Sequence, residues 1–171
     1  MLLPFASNAQ SGYFLRPGVL PDSKVYWLDL WGEEVRYFFT FGEINKADYK
    51  IRVAKERLSE LKRLYELGVT SYTDMLLTKY EKEIEIALAL YAQAKIDSAE
   101  KIKELQNYTE EQIILNEGDV KNYLINTVPD EYDSAVNQTM GAIGYGFQQL
   151  LIHLEQKNQE IQQKKADLGV N

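Results

Sequence analysis

The side chains able to do chemistry in this 171-residue chain are few. It has no cysteine and one histidine, His153. The first absence excludes disulfides, thiolate nucleophiles and thiolate metal sites, and the second excludes any centre needing two imidazoles from one chain. A carboxylate-bridged dimetal centre in a helical bundle takes a Glu-x-x-His motif from each of two helices, yet Leu150 stands three residues before His153. Contacts with uncharged neighbours or a solvent-facing position therefore explain His153. Calcium needs only oxygen ligands, which makes Glu117-Gly118-Asp119 and Asp130-Glu131-Tyr132-Asp133 the groups to weigh. Neither has the spacing of an EF-hand loop, and acids beside helix starts are favoured by the macrodipole without any ion. The run Gly141-Ala142-Ile143-Gly144-Tyr145-Gly146 lacks the lysine and preceding strand of a phosphate loop, so its small residues read as points of close helix approach. The pattern names no catalytic residue, no metal ligand and no cofactor-binding residue.

Charge narrows the partners further. Twenty-six acids against nineteen bases give a net charge of −7. Phosphate binding needs a basic footprint, so nucleic acid is not an expected partner. Residues 107–135 hold seven acids and one base, Lys121, and carry most of the excess. A solvated acidic face explains them, and a site for a divalent cation or small cationic ligand is the alternative. No stretch reaches the ~18 apolar residues of a transmembrane helix, so no membrane span is expected. Ser7-Asn8-Ala9 resembles the small-x-small pattern before a signal-peptidase cut, although a basic leader region is missing.

The elements that must position these residues are helices. Three of the four prolines, Pro4, Pro17 and Pro21, precede residue 22, and only Pro129 interrupts the rest. Residues 1–22 read as an irregular arm, a signal remnant or a mobile extension, and residues 23–171 as one domain. Ser23 is placed to cap a first helix reaching Phe39. Ile44, Ala47, Ile51, Ala54, Leu58, Leu61 and Tyr65 then follow at spacings of 3 and 4, a heptad seam that a strand of period two cannot bury. Gly68 is placed to end that helix. Leu77, Tyr80, Ile84, Ala87, Tyr91 and Ala94 continue the spacing on a third helix capped by Ser71 or Thr73, with Ile102 and Leu105 prolonging it. Thr109 with Gln112 offers a capping box for a fourth helix reaching Asn126, the alternative being one helix continuous with the third. Pro129 stops the chain, and Val136, Met140, Ile143, Phe147, Leu150 and Leu154 line the last helix, whose tail is expected to fray from Asn158. The expected fold is all-α: an antiparallel bundle of four to five helices with coiled-coil-like packing and an irregular N-terminal arm.

An ordered set of short motifs runs through the first two thirds of the chain. Leu20-Pro21-Asp22-Ser23 is followed by Tyr26, Leu28 and Glu34, then Phe39-Thr40-Phe41. Lys46, the run Ala54-Lys55-Glu56-Arg57-Leu58-Ser59-Glu60 and the pair Leu67-Gly68 complete it. Across residues 17–105 this order resembles a family known as a domain of unknown function, found in exported or membrane-anchored proteins of bacteria and archaea. Asp29 departs from the lysine usual there, and Gly32 interrupts the first helix. The resemblance implies a helical fold and export, and no chemistry. Together with the Ser7-Asn8-Ala9 pattern, it makes the expected location extracytoplasmic, periplasmic or at the cell surface.

Structural roles cover the motif residues. Phe39 and Phe41 are placed to plug the end of the bundle, and Glu56 and Glu60 to pair with Arg57, Lys62 or Arg63 on the helix surface at about 0.2–0.5 kcal/mol each. Tyrosines such as Tyr65, Tyr80 and Tyr91 fill wide seams with their hydroxyls at the edge. What is left is an aromatic group, Tyr13, Phe14, Tyr26, Trp27 and Trp31, suited to an interaction surface because aromatics dominate interface hot spots. The expected function is non-enzymatic: protein–protein contact, as an assembly subunit or scaffold, with a protein partner or by self-association.

Overall fold

In the computed structural model, residues 14–169 are described, apart from the side chains of Glu117 and Asp119, and no strand occurs among them. Six α-helices pack together: α1 (Tyr26–Phe38), α2 (Glu43–Glu66), α3 (Thr73–Gln93), α4 (Ala99–Leu115), α5 (Lys121–Thr127) and α6 (Asp133–Asp167). A π-helical turn, Asn116–Val120, joins α4 to α5, and a 3₁₀ turn, Asp130–Tyr132, leads into α6.

The heptad seam of α2 is buried as its spacing requires: Ala47, Ile51, Ala54, Leu58 and Leu61 face Leu77, Tyr80, Ile84 and Ala87 of α3 in one core. The two helices form a hairpin whose turn opens at Gly68, with φ at +74°. Gly68 N donates to Tyr65 O and Val69 N to Leu64 O, satisfying carbonyls the helix end leaves free. Helix α6 lies against α3 and α4 and supplies Val136, Met140, Ile143, Phe147, Leu150 and Leu154 to the same core. At Gly146 a Cβ would stand 2.5 Å from Leu88 Cδ1, so one of the small residues of 141–146 does mark a close helix approach.

Several expectations are corrected. Six α-helices stand where four to five were expected. The break after α3 falls at residues 94–98, because Ser98 in an extended conformation accepts a hydrogen bond from Lys101 N and starts α4. Thr109 is no cap: it is buried inside α4 and donates to Leu105 O. Ser23 and Thr73 do not cap their helices either; Tyr26 N and Thr73 N are satisfied by the carbonyls of Ser23 and Thr70. Helix α6 runs on past Asn158 to Asp167. Phe39 and Phe41 plug nothing and are largely exposed. The arm, from Phe14 onward, folds onto its own chain: Leu15 N donates to Ser59 Oγ at 2.8 Å, and the Phe14 ring meets Tyr123 edge-on at 4.8 Å.

Candidate functional site

Helix α1 has two faces of opposite character, and the polar one is turned inward. Tyr26, Leu30, Glu33 and Tyr37 recur at helical spacing on the side facing α2, whereas Trp27, Leu28, Trp31, Val35 and Phe38 form the other side. Such an arrangement needs polar partners beneath it, and α2 supplies them. Arg57 and Glu60, three residues apart, are each 1% exposed.

Arg57 Nη1 donates to the Tyr26 hydroxyl at 2.6 Å and to Glu60 Oε2 at 3.0 Å, and Nη2 donates to Glu33 Oε1. The Tyr26 hydroxyl donates in turn to Glu60 Oε2 at 3.1 Å. One guanidinium thus holds two carboxylates and a phenol from two helices. Around it, Lys79 Nζ of α3 lies 5.8 Å from the Tyr26 ring centroid, and Lys50 of α2 pairs with Glu83 of α3 at 2.8 Å. Tyr49 donates its hydroxyl to Glu33 O at 2.9 Å, a second tie from α2 to α1.

Two carboxylates sharing one guanidinium leave an excess of negative charge in a buried place. Burial, only partly opposed by Arg57, pushes both Glu33 and Glu60 up to about 7. Burial also raises the Tyr26 phenol and lowers the Lys79 ammonium. The arrangement is a latch: it ties a helix in one rotation and can exchange a proton near neutrality.

The outer face of α1 is the opposite of a latch. Trp27 is 63% exposed and Trp31 65%, with Phe38 and Phe39 also largely in solvent and Leu28 nearly half exposed. None of these side chains belongs to the core. Phe38 and Phe39 touch each other edge-on at 5.4 Å.

The five aromatics expected to form one interaction surface are therefore separated. Trp27 and Trp31 lie together on this face. Tyr26 is withdrawn into the latch, and Phe14 packs half-buried against Tyr123 with Lys62 Nζ 5.2 Å from its ring centroid. Tyr13 lies outside the described residues. Glu60 is not a surface partner of Arg57 but a buried one, and Glu33 was missed altogether. The signal was present on α2: Val53, Arg57, Glu60 and Leu64 repeat the 4–3–4 spacing of a buried seam.

Elsewhere, half-buried His153 lines a groove of about 350 Å³ between α3 and α6, with Leu88, Ala92, Gly146 and Leu150. Tyr91, fully buried, donates its hydroxyl to Asp48 of α2 and meets the Tyr108 ring at 6.3 Å. Among the described residues no group of three or more His, Cys, Asp or Glu is gathered as a metal ion would require, and no helix is long and apolar enough to cross a membrane.

The latch, both tryptophans and the whole α2–α3 hairpin fall inside one stretch that is shared with other proteins. No curated protein and no solved structure matches the chain. Residues 18–118, more than half of its length, match the family described as a domain of unknown function (DUF5667), and the chain belongs to that family.

Proposed function

We propose that the chain is a non-enzymatic, extracytoplasmic protein that works through protein–protein contact, as an assembly subunit or scaffold, with α1 as its contacting element. One observation carries this reading: a helix held by its polar face, with two tryptophans and two phenylalanines pointing away from the rest of the chain. Contiguous exposed apolar patches of this kind mark interaction sites on soluble proteins. Trp is also among the residue types most enriched in interface hot spots. An antiparallel, coiled-coil-like order of the helices belongs to the same reading and is supported by the 3–4 spacing of the α2 and α3 seams.

A photo-crosslinking phenylalanine analogue in place of Trp31 tests it in producing cells. A discrete protein adduct is expected at position 31 and none from the same analogue at exposed Glu110 on α4. No adduct at 31, or equal labelling at both positions, overturns the reading.

A further inference from the structure

We propose that the outer face of α1 is a self-association surface, covered by the same face of a second copy of this chain in a two-fold symmetric pair. The inference rests on the contact role proposed above and adds the identity of the partner.

The spacing is the first argument. Leu28, Trp31, Val35 and Phe38 follow one another at 3, 4 and 3, the seam by which one helix packs along another. On α2 and α3 the same spacing is buried; on α1 it faces outward. Gly32, the midpoint of Tyr26–Phe38, flanks this seam beside Leu28 and Val35, and no heavy atom lies within 4 Å of where its Cβ would stand.

Area is the second argument. Trp27, Trp31, Phe38 and Phe39 are between 63% and 76% exposed. At about 150–250 Å² for each aromatic side chain, they present roughly 400–670 Å². A standard stable interface takes about 800 Å² from each partner, and the largest apolar patch on an ordinary monomer is about 300–600 Å². The face supplies at least half of one side of a dimer. Paired two-fold with itself, it closes on two copies instead of running on as a chain.

Charge decides against a lipid surface. Helices that lie in a bilayer interface carry lysine and arginine on their polar side to meet headgroups. Helix α1 sets one base, Arg36, against Asp29, Glu33 and Glu34, and Glu33 is already held by Arg57. The whole chain carries −7.

The chain's own fluorescence reports the outcome, because its two tryptophans, Trp27 and Trp31, are both on this face. Sedimentation equilibrium and tryptophan emission are followed on the purified full chain from low to high micromolar concentration. Twice the chain mass is expected at the upper end, with emission moving to shorter wavelength in step. Trp31→Glu is expected to weaken the association about 30-fold or more, as loss of a central aromatic hot spot does, with far-UV circular dichroism unchanged. Ile114→Glu, at an equally exposed residue of α4, is expected to leave it intact.

A monomer with solvent-exposed emission at every concentration overturns the proposal. So does a dimer indifferent to Trp31→Glu, or an emission shift that appears only with phosphatidylcholine vesicles while the chain stays monomeric. A monomer in this experiment alongside a heterologous protein adduct in the crosslinking experiment refutes the self-pair and leaves the contact role standing.

Discussion

Replacing Arg57 with methionine tests whether the latch is a buried network or a decorated surface. The substitution removes three hydrogen bonds from a charged donor, to Tyr26, Glu60 and Glu33. At about 1.5–3 kcal/mol for each such bond, the gross loss is roughly 5–9 kcal/mol. The carboxylates escape part of that penalty by taking up protons, which burial already favours at both. A net cost of about 3–5 kcal/mol is expected, the range for breaking a buried pair by removing one partner. For a chain of this size that lowers Tm by about 6–20 °C. Arg63→Met is the internal control: the same residue type, on the same helix, also paired with a glutamate three residues on, yet with both side chains nearly half exposed. It is expected to cost no more than about 1 kcal/mol. Urea denaturation followed by far-UV circular dichroism compares the two. If they differ by less than about 1 kcal/mol, Arg57 is screened by solvent and the reasoning fails. A quadruple replacement, Arg57→Met with Glu33→Leu, Glu60→Leu and Tyr26→Phe, is expected to regain most of the loss, because it leaves no polar group stranded.

Three further outcomes follow from the same packing. Glu33 and Glu60 have folded-state values above their unfolded ones, so the stability they contribute is fully present below the unfolded value and is lost as pH rises through about 7. The thermal midpoint is thus expected to fall between about pH 5 and pH 7.5, and Glu60→Gln to flatten that slope; a midpoint that climbs across this window contradicts the buried excess of carboxylate. Gly141 sits inside α6 with open space around its Cβ position, so Gly141→Ala is expected to stabilise by about 0.5–1 kcal/mol in chemical denaturation. Gly146→Ala, where the new methyl meets Leu88, should gain clearly less. Ser98→Ala removes the cap of α4 and is expected to cost about 0.5–2 kcal/mol, whereas Thr109→Ser, buried and bonded to its own helix, should not shift the start of α4 in amide exchange.

Most of the fold was legible because burial repeats with the helical period. Every apolar position assigned to the α2 seam between Ala47 and Leu61 is in the core, as are those of α3 from Leu77 to Tyr91 and of α6 up to Leu154. Helix ends were less legible, since several residues near each end can cap. Thr109 and Gln112 satisfied the capping pattern but lie in the middle of α4, where the Thr109 hydroxyl found Leu105 O instead. The site was the least legible part. A pattern reader treats charge as exposed, so Arg57 and Glu60 were assigned to the surface although they continue the seam of Val53 and Leu64. Tyr26 was grouped with Trp27 and Trp31 by aromaticity, yet adjacent residues on a helix point about 100° apart, and only Tyr26 faces α2.

The rotation of α1 follows from what α2 offers it. An apolar face of roughly 400–670 Å² left in water forgoes at most about 10–17 kcal/mol at 25 cal/mol per Å². Rolling α1 by half a turn would bring Trp31 and Phe38 toward the hairpin, but onto Arg57 and Glu60 rather than onto an apolar surface. Those charges would then be buried without Tyr26 and Glu33, at several kcal/mol for each uncompensated ion, and the aromatic rings would gain poor contacts in exchange. Polar seams on α2 therefore select the polar face of α1 and present its aromatic face outward. The apolar area left over is what a covering surface recovers, and in the proposed pair each copy provides that surface for the other.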